Sequence, residues 1–428
     1  MIRPLLALLI VLALAACGPQ GQEDSLDEIA ADFVQMTLEI GEREPGYVDA
    51  YYGPKEWQDA ARRAPRSLAA LAAEADALAG RLSAIGSGLD AMESRRRAFL
   101  AGQVKAAQTR LRMLGGEKLS FADEAEGLFG VRPELKPLAS FDPVLDRIAG
   151  LVPGSGPLSD RVDAFQDRFT IPPDRLKPVF DAAIAECRRR TARHIALPKG
   201  ERFTMEFVTG KSWSGYNYYQ GGLDSLIQIN TDLPIRISRA VDLGCHEGYP
   251  GHHALNMLLE AKLTRGRGWI EYSVYPLYSP QSLIAEGSAN YGIDLAFPGD
   301  ERLRYETGTL YPLAGLPTRD ARRYLELLRA MRDLAGARFT VAREYLEGRI
   351  NRRQAVELTR RYQLVSKERA EQLIDFTEEY RSYVINYGLG QDMVEAHVEA
   401  AGATPARWAA MERIISEPTL PRDLRPER

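Results

Sequence analysis

The sequence predicts a mainly α-helical protein with a small β element placed just ahead of a histidine-rich helix. Three observations carry this reading. Long stretches repeat apolar residues at three-and-four spacing. Alternating β-branched and aromatic residues are confined to two short runs, "RFTMEFVTG" and "DSLIQINT". Three of the chain's five histidines, His246, His252 and His253, then fall within eight residues. With 428 residues, 45% hydrophobic and 27% charged, the chain can form one large domain or two with cores of their own. A formal net charge of −4 and the lack of a basic domain argue against a nucleic-acid partner.

The N-terminal segment is set apart from the fold. "MIRPLLALLIVLALAAC" has one early Arg and an apolar run from Leu5 to Ala16. That run is too short for a bilayer, which needs about 20 residues, and suits the core of a signal peptide. Its ending, Leu14 to Cys17, resembles a bacterial lipobox. The resemblance implies cleavage before Cys17 and lipidation of its sulfur, with membrane attachment through the acyl chains. Gly18, where Asp would signal retention, implies the outer membrane facing the periplasm. The expected divisions are a signal peptide over 1–17, a polar tether over 18–25, an N-terminal helical region over 26–197 and a catalytic helical region over 198–428. "LPKG", residues 197–200, marks the last boundary.

Helix signals follow in order. "LDEIAADFVQMTLEIGER" has acids in its first turn and an apolar stripe. "SLAALAAEADALAGRLSAI" is rich in strong helix formers. "AMESRRRAFLAGQVKAAQTRLRML" is stopped by Gly115-Gly116. A fourth helix is expected over about 173–194. The Arg runs at 95–97 and 188–190 read as solvated helix faces. Between the two strand-like runs, "SWSGYNYYQGG" reads as a Gly- and Tyr-rich connection, its Tyr216, Tyr218 and Tyr219 packing in a loop or shaping a cleft. The histidine helix is expected from near Pro234, followed by helices at about 280–296, 317–347, 351–363, 367–382 and 404–415. Cys187 and Cys245 are expected as buried free thiols, with a bridge between them left open.

"CHEGYPGHH", Cys245 to His253, almost spells the zinc motif in which two histidines four residues apart share a helix face and the intervening Glu is the general base. On a straight helix His252 would face the far side, and His253 would sit about 10 Å along the axis from His246. Neither pair could then share one ion. Pro250 and Gly251 supply a break. With two residues bulged out His252 takes the ligand position; with three, His253 does. A third ligand is needed, and Glu286 is best placed. It sits in "SPQSLIAEGSANYG", where Ser279 can cap the helix, Pro280 suits its first turn and small residues admit a neighbouring helix. Glu260 points away along its own helix, and Glu271 sits beside Gly-rich sequence.

"HEGYPGHH" followed by "EGSANY" resembles the bacterial family known as domain of unknown function 885. "GGLDSLIQINTDLP", "NYGLG" at 386–390 and, more weakly, "DAYYGP" at 49–54 are similar to further elements of that family. The match covers roughly residues 200–395. It implies a helical, gluzincin-like metallopeptidase fold with Zn2+ held by two His and a Glu. The Gly-His pair of related gluzincin motifs favours His252 over His253 as the second ligand, beside His246 and Glu286. It further implies Glu247 as general base, Tyr387 as donor to the developing oxyanion, and a peptide substrate. The family commonly has Trp where Ser288 stands, which leaves substrate preference open at a residue expected to line the cleft. The "LIQIN" strand is expected to pair with an extended peptide. Two alternatives stay open: a non-catalytic metal- or partner-binding envelope lipoprotein, with His253 closing the metal shell, and a zinc hydrolase acting on a non-peptide amide.

Overall fold

The computed structural model describes residues 25–86 and 88–425. The signal peptide, Cys17 and nearly all of the tether lie outside the described residues. The fold is mainly α. Ser25 opens the first helix, Leu26–Arg43, through a reciprocal capping box with Glu28. This helix packs against Leu68–Ala84 and Ala91–Leu114, burying Ile29, Phe33, Leu78 and Leu100 in one apolar cluster. Val274, Leu283, Phe376 and Ile385 join that cluster from the far half of the chain. A second cluster unites Phe180 and Ile184 with Ile227, Leu255, Tyr291 and Trp408. Both cores therefore draw residues from either side of 197/198.

Five short strands are found among the described residues: β1 (Val48–Tyr51), β2 (Arg202–Val208), β3 (Gly215–Gly221), β4 (Asp224–Asn230) and β5 (Val274–Pro276). β1 pairs antiparallel with β5, tying the first helical layer to the segment before Glu286. The other three form a sheet ordered β2-β4-β3, with β2 parallel and β3 antiparallel to β4. The Tyr-rich stretch expected as a connection is thus strand β3. Asn217, Tyr219 and Gly221 alternate inward, and the flanking glycines had hidden that period of two. The "LIQIN" segment is the central strand, hydrogen-bonded on both sides, so it has no free edge for a peptide. β3 is an edge strand.

Other departures have local causes. The helix expected from Pro234 starts at Ser238, because Ile235 and Ile237 spend their backbone groups pairing with Ile171 and Phe169. The expected 317–347 helix is two, Ala321–Arg332 and Ala335–Leu346, parted where Asp333 and Leu334 turn back to Ala330 and Met331. A helix at Ile385–Glu399 was unforeseen, its glycines depressing the local helix signal. Arg96 is not solvated: it is buried and bonds Glu271 through two nitrogens, at 2.6 and 2.9 Å, and Asp27 at 2.6 Å. Cys187 and Cys245 are buried as expected but joined in a disulfide. They face each other where the Leu176–Thr191 helix packs against the turn bearing Cys245.

Candidate metal centre

The helix Ser238–Leu243 runs on into one wider π turn, Gly244–Gly248, which carries Cys245, His246 and Glu247. Such widened turns recur at functional sites. The chain then leaves the helix altogether. Tyr249 is extended, the Tyr249–Pro250 peptide is cis, and a new helix starts at His252 and runs to Leu259. The expected bulge is thus a complete break. Gly251 permits it, since an added Cβ would overlap the His246 carbonyl oxygen. Folding back in this way brings the Nε2 atoms of His246 and His252 to 3.1 Å.

Glu286 comes from the helix Pro280–Ala296, which is buried along nearly all its length. Pro280 occupies the first turn, but Ser279 makes no side-chain capping bond. Small residues admit the Ile385–Glu399 helix so closely that a Cβ on Gly287 would collide with the Gly390 backbone. Glu286 Oε2 lies 3.2 Å from His246 Nε2 and 3.7 Å from His252 Nε2. It is buried yet makes no well-directed hydrogen bond, as suits an oxygen whose partner belongs at the centre of the cluster. Burial works against charge on Glu286 and His252, but their contacts within the cluster prevail. Glu286 is held well below the usual carboxylate range, and His252 is raised to about 9. The three donors together suit a cation, and His246, His252 and Glu286 could hold one metal ion.

Neighbours hold these side chains in place. Asn290 lies one turn beyond Glu286; its Oδ1 is 2.9 Å from His246 Nδ1, and its Nδ2 donates to the Tyr387 carbonyl at 2.8 Å. An Nδ1–H donated to Asn290 leaves the His246 Nε2 lone pair facing the cluster. The Tyr383 hydroxyl donates to Glu286 Oε1 at 2.8 Å. His253 is turned away: Nδ1 meets Ser225 Oγ at 2.7 Å and Nε2 meets Glu201 Oε2 at 3.1 Å, both in the interior. Glu260 is held by Tyr219 and Arg265, and Glu271 by Arg96.

The cluster opens on a cavity of about 740 Å³. Glu247 lines it, and burial raises its carboxyl above the ordinary value. Among the described residues no group hydrogen-bonds its side chain. Tyr387 lines the same cavity, its ring 6.5 Å from that of His246 and inclined by 22°. Tyr216 reaches in from β3 and donates to Asp49 Oδ1 at 3.0 Å. Burial raises Asp49 to about 6. Tyr219 is buried, and Tyr218 is exposed. Ser288, expected at the cleft, is instead buried and donates to the Ala285 carbonyl. Sequence reasoning missed Asp49, Asn290 and Tyr383. Asn290 was within reach, since four residues from Glu286 is the same helix face.

No protein-family model matches the chain, and no curated protein matches it. The resemblance to domain of unknown function 885 therefore stays with the motifs that carry it. Among solved structures, the "putative lipoprotein from Colwellia psychrerythraea" is similar over 80% of this chain, at 15% identity and a TM-score of 0.48; the match spans 66% of that chain. An M32 carboxypeptidase from Deinococcus radiodurans R1 is similar over 91% of this chain and 88% of its own, at 15% identity and a TM-score of 0.36.

Proposed function

We propose that this chain is a zinc-dependent peptidase of the bacterial envelope, attached through lipid at Cys17. One observation carries the reading. Two imidazole nitrogens and a buried carboxylate converge beside a cavity that also presents Glu247. Among the described residues no fourth His, Cys, Asp or Glu joins the cluster, which matches a catalytic rather than a closed site. With His253 engaged elsewhere, the closed-shell alternative loses its fourth ligand.

His246, His252 and Glu286 would hold the ion. When bound, zinc supplies a Lewis acid for a carbonyl oxygen and acidifies water. The chain's own groups do the rest. Asn290 keeps the His246 tautomer, and Tyr383 holds Glu286 in place. The Glu247 carboxylate takes a proton from the attacking water and passes it to the leaving amine. The Tyr387 hydroxyl, with no protein partner among the described residues, is free to donate to the oxygen that gains charge. The edge of β3 at Gly215, Tyr216 and Asn217 lines the cavity and offers backbone groups to an extended peptide.

The test is metal content followed by peptide hydrolysis on protein lacking residues 1–17. About one zinc per chain is expected, lost in Glu286→Ala. Glu247→Gln should keep the metal and lose about 10²–10⁴-fold in peptide turnover. A parent protein that takes up no zinc even when it is supplied would sink the reading.

A further inference from the structure

Arg338 stands in the cavity wall with no acid in direct contact; Glu286, already engaged with the histidines, acts on it only through space. It lies on the Ala335–Leu346 helix, and its Nε is buried without a hydrogen-bond partner. No described residue gives it a hydrogen bond or an ion pair. Its guanidinium instead packs over the rings of Phe376 and Tyr387, at 5.1 and 5.7 Å. Arg369 lines the same cavity and bonds only neutral groups, Ser214 Oγ at 2.6 Å and Gln372 Oε1. Arg239 is a third lining cation. Its nearest carboxylate, Asp242, is 3.8 Å away and is shared with Arg302 at 2.8 Å. Burial and the charges of Arg239, Arg338 and Arg236 push Arg369 down to about 10.

The buried arginines among the described residues all have acids: Arg96 has Glu271, Arg110 has Glu44, and Arg302 has Asp242 and Glu306. A desolvated cation left unpaired is costly, so an anion that completes the cavity would be bound strongly. The guanidinium fork matches a carboxylate in shape and charge. The distance to the metal cluster is short. Arg338 sits 5.7 Å from the Tyr387 ring, and that ring is 6.5 Å from His246. Together these steps cover at most about four residues of extended chain.

We propose that Arg338, supported by Arg369, forms a carboxylate-binding subsite, so that the site selects peptides by a free carboxylate within about four residues of the bond it cleaves. This rests on the peptidase reading and adds its substrate class. The carboxylate is that of a peptide C-terminus or of an acidic side chain, which the test separates.

The full-length, zinc-loaded protein is given one N-acetylated peptide as the free acid and as the C-terminal amide, and a second amide with an internal Glu. Products are followed by mass spectrometry. The acid should be cleaved about tenfold or more faster than its amide, near its C-terminus. Arg338→Ala should bring that ratio towards one, mainly through KM, and Arg338→Lys should restore part of it. Cleavage of the Glu-containing amide with the same dependence on Arg338 would assign the carboxylate to a side chain. Calorimetric titration of the Glu247→Gln protein with the acid and the amide reads binding alone, and the acid should bind more tightly only while Arg338 is present. Carboxylate-dependent binding without cleavage by the parent would uphold the subsite and sink the peptidase. Equal cleavage and equal binding of acid and amide would overturn the subsite and leave the peptidase standing.

Discussion

Asn290 and Tyr383 never touch the centre of the cluster, yet each fixes one of its side chains. Asn290 decides which His246 nitrogen keeps its proton, and Tyr383 ties down the oxygen of Glu286 that faces away from the histidines. Groups of this kind commonly carry 10–100-fold in metal affinity. Asn290→Ala is therefore expected to weaken zinc binding by about that factor in a chelator competition. Tyr383→Phe keeps the ring contacts with Phe129 and Phe376 and should weaken zinc while leaving the melting temperature nearly unchanged. An unchanged zinc affinity in both variants would show that the ligands are oriented by packing alone. The residue types of the cluster were legible in the sequence because imidazole and carboxylate chemistry belongs to the residue. Their orienting partners were less so: Asn and Tyr are common, and only their position in space makes them matter.

At the scale of the element, the decisive feature is a helix that stops and restarts. From spacing alone, a local bulge sufficed to bring His252 beside His246. The chain uses a larger device: a π turn, an extended residue and a fresh helix beginning at His252. Gly251 leaves no room for a side chain against the His246 carbonyl. Gly251→Ala should cost about 1–3 kcal/mol or more in denaturant unfolding and lower zinc affinity with it. A variant of full stability and full zinc content would mean that the break tolerates a shift. The Pro280–Ala296 helix has the expected extent, although Ser279 does not cap it, whereas the strand β3 and the Ile385–Glu399 helix escaped notice. Their glycines serve close contacts and turns, and so blur the very periodicities by which strands and helices are read.

At the scale of the whole molecule, two long-range ties hold the turn that carries His246. The Cys187–Cys245 disulfide links residues 58 apart and ends next to His246. Replacing both cysteines by Ser should cost about 2–4 kcal/mol of stability, measured by denaturation with and without zinc. A loss that vanishes when zinc is present would show that metal and disulfide restrain the same turn. The second tie is the buried Arg96–Glu271 pair, which joins the first helical layer to the segment leading into β5. Arg96→Met alone should cost about 3–5 kcal/mol, because Glu271 is left buried and unpaired; adding Glu271→Leu should recover much of it. Equal costs for the single and double variants would place the contribution in packing rather than in charge.

The helical class, His246 with Glu247, a second histidine at 252 or 253, Glu286 as third donor and the candidate roles of Glu247 and Tyr387 could all be read from the chain alone. Those depend on residue type, on spacing along one chain segment and on a motif's resemblance. Packing was needed to show that His252 rather than His253 faces the cluster, that Cys187 meets Cys245, that Arg96 is buried, and that Asp49, Arg338 and Arg369 share one cavity with the histidines. The reason is physical. Spacing constrains neighbours within a few turns, while the direction of a side chain after a helix break, and the company it keeps across hundreds of residues, are set by which surfaces pack together.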